Sequence, residues 1–168
     1  MKLFTREISF ETCEGEEGRL VISGTMRDHR LGKLLRHIEV RAEVGLVDGR
    51  IHSLEGAMPC ITHEECPEAL KTLSQLVGEC IVPGFTGLVR RVVGSPQGCT
   101  HLSVLMTNLG NASVQGRAAL AMAMFGEGAD TRKIIRDQAT ALGLPGSCYT
   151  WREDGPIMRR WGEEDKGG

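Results

Sequence analysis

The feature that most constrains this chain is the stretch Ile38-Glu39-Val40-Arg41-Ala42-Glu43-Val44, where apolar and polar residues alternate with a period of two. Only an extended strand puts every second side chain on one face, so the segment predicts a half-buried strand. Val47-Asp48-Gly49-Arg50-Ile51 follows at once. Asp-Gly supplies the positive-φ positions of a type I′ turn, so a hairpin is expected there, with the returning strand reaching Met58. Upstream, residues 5–11 and 18–26 read as two further strands joined by the acidic turn Glu14-Gly15-Glu16-Glu17-Gly18. Arg27-Asp28-His29-Arg30 reads as a polar, basic segment after the second strand. The first third therefore predicts an antiparallel meander with one face in need of cover.

Helices are expected to supply that cover. Pro67-Glu68-Ala69 resembles a first helical turn, with Leu70, Leu73, Leu76 and Val77 as its buried stripe and Gly78 as its end. Residues 86–93 read as a short helix that is basic on one side. From Cys99 onward, apolar residues at 99, 102, 105, 106, 109 and 112 carry helical spacing, and the helix is expected to run to Phe125 despite Gly110 and Gly116. Its stripe of Thr107, Asn108, Asn111 and Gln115 is expected to face solvent. Asp130-Thr131 caps a helix over 130–142 that Gly143 stops, and Pro145–Gly168 reads as loop-rich, with 163–168 frayed. The expectation is a single α+β domain over 1–168, an antiparallel β-meander covered on one face by helices.

Composition removes several classes of function. With 20 Lys+Arg against 22 Asp+Glu and one Tyr, the chain has neither a basic stripe nor a base-stacking platform, so no nucleic-acid partner is expected. No apolar stretch approaches the ~20 residues of a membrane span, and Met1-Lys2-Leu3-Phe4-Thr5-Arg6-Glu7 has no signal-peptide core. No membrane contact is expected, and the location is read as cytoplasmic. The six cysteines (13, 60, 66, 80, 99 and 148) then argue against a disulfide framework, and the absence of any Cys-x-x-Cys pair excludes a zinc ribbon.

Chemistry concentrates in Gly98-Cys99-Thr100-His101-Leu102, which follows the loop residues Gly94-Ser95-Pro96-Gln97. A thiol at the start of a helix lies at the positive end of its dipole, which favours thiolate. Inside a helix, residues two apart point about 200° from each other. If Cys99 is the cap rather than a helical residue, it and His101 can reach one centre. Cys66, beside Pro67, occupies the same kind of place on the earlier helix, and Cys60-x-x-His63-x-x-Cys66 forms a local cluster.

These residues carry a resemblance. The chain resembles the bacterial domain of unknown function 2889 family in the Gly-Cys-Thr-His-Leu box at 98–102, preceded by Leu76-Val77-Gly78 and Pro83-Gly84-Phe85-Thr86. Cys66-Pro67, Ser147-Cys148, Asp154-Gly155-Pro156, Gly18-Arg19-Leu20 and Asp28 match it as well, whereas Arg36-His37-Ile38-Glu39 departs from the family's order. The resemblance implies a role for Cys66, Cys99, His101 and Cys148 but brings no activity. A fainter likeness of layout is to the U-type iron–sulfur cluster scaffold proteins, where three cysteines and an Asp converge at the end of a sheet. Here Asp28, Cys148 or His101 would complete such a set with Cys66 and Cys99.

The leading expectation is therefore a metal ion or cluster, zinc or iron–sulfur, held by Cys66, Cys99, His101 and Cys148. The alternative is an enzyme with Cys99 as nucleophile and His101 as base, acting on a small acyl or carbonyl substrate. A third reading is an accessory subunit with structural cysteines, serving an unidentified protein partner or forming a homo-oligomer.

Overall fold

The computed structural model describes residues 1–126 and 130–164. It is an α+β protein built on a four-stranded antiparallel sheet in the order β1-β2-β3-β4, a plain meander. The strands are β1 (Phe4–Glu14), β2 (Arg19–Arg30), β3 (Lys33–Gly45) and β4 (Ile51–Cys60). Helical segments follow: a 3₁₀ helix over Cys66–Leu76, then α1 (Phe85–Val92), α2 (Thr100–Phe125), α3 (Thr131–Gln138) and α4 (Pro156–Glu164). The chain divides into two compact units, Met1–Leu120 and Ala121–Gly168.

In the first unit, alternation does what the sequence suggested. Leu20, Ile22 and Met26 of β2 and Ile38, Val40, Ala42 and Val44 of β3 are buried on one face. Leu73, Leu76, Phe85, Val89, Leu102, Leu105, Met106 and Leu109 belong to the same apolar core. The glycines of α2 prove to be packing positions. A Cβ on Gly110 would lie 3.0 Å from the Phe85 ring, and one on Gly116 would lie 2.7 Å from Leu20 and 2.8 Å from Thr12. Only hydrogen lets the helix approach so closely, which repays the lower helix propensity of glycine. Asn111 and Gln115 of the polar stripe are exposed, while Thr107 and Asn108 are half-buried.

Several local expectations are corrected. The segment Arg27–Arg30 does not follow the second strand but is the end of β2, paired to both neighbours. The turn after it is Leu31-Gly32, with φ of 51° and 78°, a two-residue connection in the left-handed region at both positions. The β3–β4 connection is longer than a two-residue I′ turn. Gly45 N–H donates to the Arg50 carbonyl (2.8 Å), Gly49 alone has positive φ, and the Asp48 carboxylate accepts from Arg50 N–H (3.0 Å). Cys66–Leu76 is 3₁₀ rather than α. Its apolar residues at 70, 73 and 76 repeat every three positions, the period of a 3₁₀ helix, and Val77 lies beyond its end, 43% exposed.

In the second unit, Asp130 caps α3 by accepting from the N–H groups of Arg132 and Lys133. α3 ends at Gln138, short of the expected 142, and the chain turns through Gly143 at φ 66°. The segment after Pro145 contains α4, which begins on Pro156, a residue suited to a first helical position. Residues 163 and 164 of the expected frayed tail lie in α4, and 165–168 lie outside the described residues. No helix among the described residues is long and apolar enough to cross a membrane.

Candidate thiol site

Three charged residues stand side by side on the apolar face of the sheet. Arg6 of β1 is paired with Asp28 of β2, and Asp28 with Arg36 of β3. All three hold the parity of their strands' core-facing residues, so the alternation that packs Ile8, Met26 and Ile38 into or against the core turns them toward the same face. A β-bulge secures the row. His29 pairs with Leu34 but Asp28 pairs with Arg36, so one extra residue on β3 brings Arg36, and not Leu35, opposite the carboxylate.

The Asp28 side chain is fully buried and fully used. Arg6 donates through Nε to Oδ1 (2.7 Å) and through Nη2 to Oδ2 (2.9 Å), and Arg36 Nη1 donates to Oδ2 (2.7 Å). The hydrogen bond from Arg6 above all, then that from Arg36, holds the Asp28 carboxyl below the usual carboxylate range, against the opposing pull of burial. The two guanidiniums exceed the carboxylate by one positive charge.

The first turn of α2 meets this row. Cys99 directly precedes Thr100, and its carbonyl accepts from Ser103 N–H (2.9 Å), so it is the N-cap. The entry is tight: Cys99 N–H donates to the Val93 carbonyl (2.8 Å), and a Cβ on Gly98 would lie 2.0 Å from that same oxygen. With Cys99 outside the helical twist, its Sγ lies 3.7 Å from His101 Nδ1. The other face of the imidazole is engaged by Arg36, whose Nη1 is 2.6 Å from His101 Nε2.

That last contact fixes the protons. A guanidinium nitrogen can only donate, so Nε2 accepts and the proton of the neutral ring sits on Nδ1, facing the Cys99 sulfur. Burial first, then the positive fields of Arg36 and Arg6, holds the imidazole below its ordinary value, with Asp28 opposing. His101 is therefore a neutral donor toward Cys99. As a metal ligand it would need its Nδ1 lone pair free and its proton on Nε2, where it would face another donor. Ligating histidines normally donate that proton to an acceptor.

A family model described as "Protein of unknown function (DUF2889)" matches residues 4–115, two thirds of the chain. The chain belongs to this family. The matched span holds the whole row of Arg6, Asp28 and Arg36 together with Cys99 and His101, and it stops short of Cys148. No curated protein and no solved structure matches the chain.

The remaining candidates of this family member are placed as follows. Cys66 opens the 3₁₀ helix, half-buried, with its N–H donating to the His63 carbonyl (3.1 Å), and Cys60 ends β4 opposite His37. Cys148 is exposed in the second unit. Backbone N–H groups of Trp151 and Thr150 favour its thiolate and hold it below the ordinary thiol range. All six cysteines are free. Among the described residues no three His, Cys, Asp or Glu side chains form a group that could hold a metal ion. The residues that sequence reasoning missed are Arg6 and Arg36. Their signal was present, as charges on core-parity positions of strands.

Proposed function

We propose that Cys99 is a nucleophile toward a small acyl or carbonyl substrate, with His101 as the donor that holds its thiolate rather than as the base that creates it. The observation that carries this reading is the Arg36 Nη1 contact on His101 Nε2, 2.6 Å long. It directs an N–H at the sulfur and withholds the lone pair a base would need. Asp28 anchors Arg36 and thereby the ring, so Arg36 and Asp28 are positioning residues. In the reaction the thiol has lost its proton to solvent. The thiolate forms a C–S bond to the carbonyl carbon, the π pair moves to oxygen, and the leaving group departs with its bond pair as the carbonyl reforms. The first N–H groups of α2 stabilise negative charge at this position.

One observation favours the metal reading as runner-up. Sγ and Nδ1 are 3.7 Å apart, close to the ~3.6 Å between S and N ligands of one tetrahedral zinc. The test uses p-nitrophenyl acetate, with mass spectrometry of the cysteine peptides and elemental analysis of the same protein. An acetyl group on Cys99 is expected, forming about 10-fold more slowly in His101→Ala or Arg36→Met, a barrier higher by about 1.4 kcal/mol. Cys148 acylation should not depend on either residue. Folded protein without acetyl-Cys99 overturns the proposal. So does stoichiometric zinc or iron that Cys99→Ser abolishes.

A further inference from the structure

The second unit contains a cavity that the thiol chemistry does not use. It has a volume of about 810 Å³, within the range of sites for small organic ligands. Its walls carry Arg132, Lys133, Arg136 and Arg160 together with Trp151 and Trp161. Against these cations stand Asp130 and Asp137, and Asp130 already accepts from the N–H groups of Arg132 and Lys133 as the cap of α3. Among the described lining residues, cationic side chains thus outnumber carboxylates by four to two, in a chain whose net charge is −2. Arg132, Lys133 and Arg160 are exposed, and among the described residues none of them forms an ion pair.

The two indoles are half-buried and meet edge to face, with centroids 5.1 Å apart and planes at 70°. A T-shaped pair leaves one ring with an open face. Arg136 lies over Trp161 at 5.6 Å, joining the aromatic and cationic parts of the wall. We propose that this cavity binds a nucleotide-type ligand, a flat aromatic ring joined to phosphate. The ring would stack on an indole, and the phosphate oxygens would accept from guanidinium forks and Lys133. A bare anion has no use for the indoles, and an uncharged aromatic has none for the cations.

Trp151 and Trp161 are the only tryptophans of the chain, so intrinsic fluorescence reports on this cavity alone. The full-length protein is titrated separately with adenosine diphosphate, adenosine and inorganic phosphate, with excitation at the red edge of the indole band. Saturable quenching by the diphosphate is expected, with adenosine and phosphate each at least ~10-fold weaker. The double variant Lys133→Glu/Arg160→Glu, at two exposed positions, should weaken the diphosphate by at least ~10-fold. Cys99→Ser should leave binding unchanged. The proposal is overturned by no saturable change up to millimolar diphosphate or by equal binding to the double variant. Phosphate alone binding as tightly as the diphosphate also overturns it.

Discussion

Replacing Asp28 by Asn removes one negative charge from a fully buried position between two guanidiniums while keeping its shape. Arg6 and Arg36 then face each other across an amide that offers one acceptor oxygen for the hydrogen bonds at 2.7, 2.9 and 2.7 Å that the carboxylate accepts. Breaking a buried ion pair by removing one partner costs about 3–5 kcal/mol. The Arg6 and Arg36 side chains retain 30% and 17% exposure, so water softens their repulsion and the low end, about 3 kcal/mol, applies. In a chain of this size each kcal/mol moves Tm by about 2–4 °C, so a drop of about 6–12 °C is expected. The pH dependence has a definite sign. The folded-state value of Asp28 lies below its ordinary 3.8, so its stabilisation is complete above the unfolded-state value and fades as pH falls through the folded one. The gap between wild type and Asp28→Asn is therefore widest at pH 7 and narrows below about pH 5. Circular dichroism melts and urea unfolding at pH 7, 4 and 3 measure it. A gap under about 1 kcal/mol at pH 7, or one that stays constant down to pH 3, would refute the argument.

Two glycines should respond in opposite directions. At Gly98 an added Cβ meets the Val93 carbonyl oxygen at 2.0 Å and its carbon at 2.7 Å. Gly98→Ala should thus cost about 2 kcal/mol or more and slow acylation of Cys99, read by Tm and by mass spectrometry. At Gly162, inside α4, an added Cβ meets nothing within 4 Å. Gly162→Ala should raise stability by about 0.5–1 kcal/mol in urea unfolding, and a loss would contradict the helix assignment.

Much of the fold was legible because it rests on local periodicity. Period two between Ile38 and Val44 marked a strand with one buried face, and the spacing from Cys99 marked a helix ending at Phe125. Reading errors fell where a local signal was ambiguous. Leu70, Leu73 and Leu76 suit an α stripe and a 3₁₀ stripe alike, and Leu31 is not a residue that announces positive φ. Missing that turn ended the second strand at Met26 and hid the strand end that carries Asp28.

By itself, the sequence determined that an antiparallel meander would need helical cover and that Cys99 would stand at a helix start. Both follow from residues close together in the chain. What only the tertiary structure decided is the surrounding of that thiol. Arg6, Asp28 and Arg36 are brought abreast by strand register and by the extra residue at Leu35, and Arg36 meets His101 from 65 positions away in sequence. Register depends on turn geometry and on burial of a whole face, quantities that no single segment contains. The proton on His101 is set by the same long-range contact, because a guanidinium can only donate.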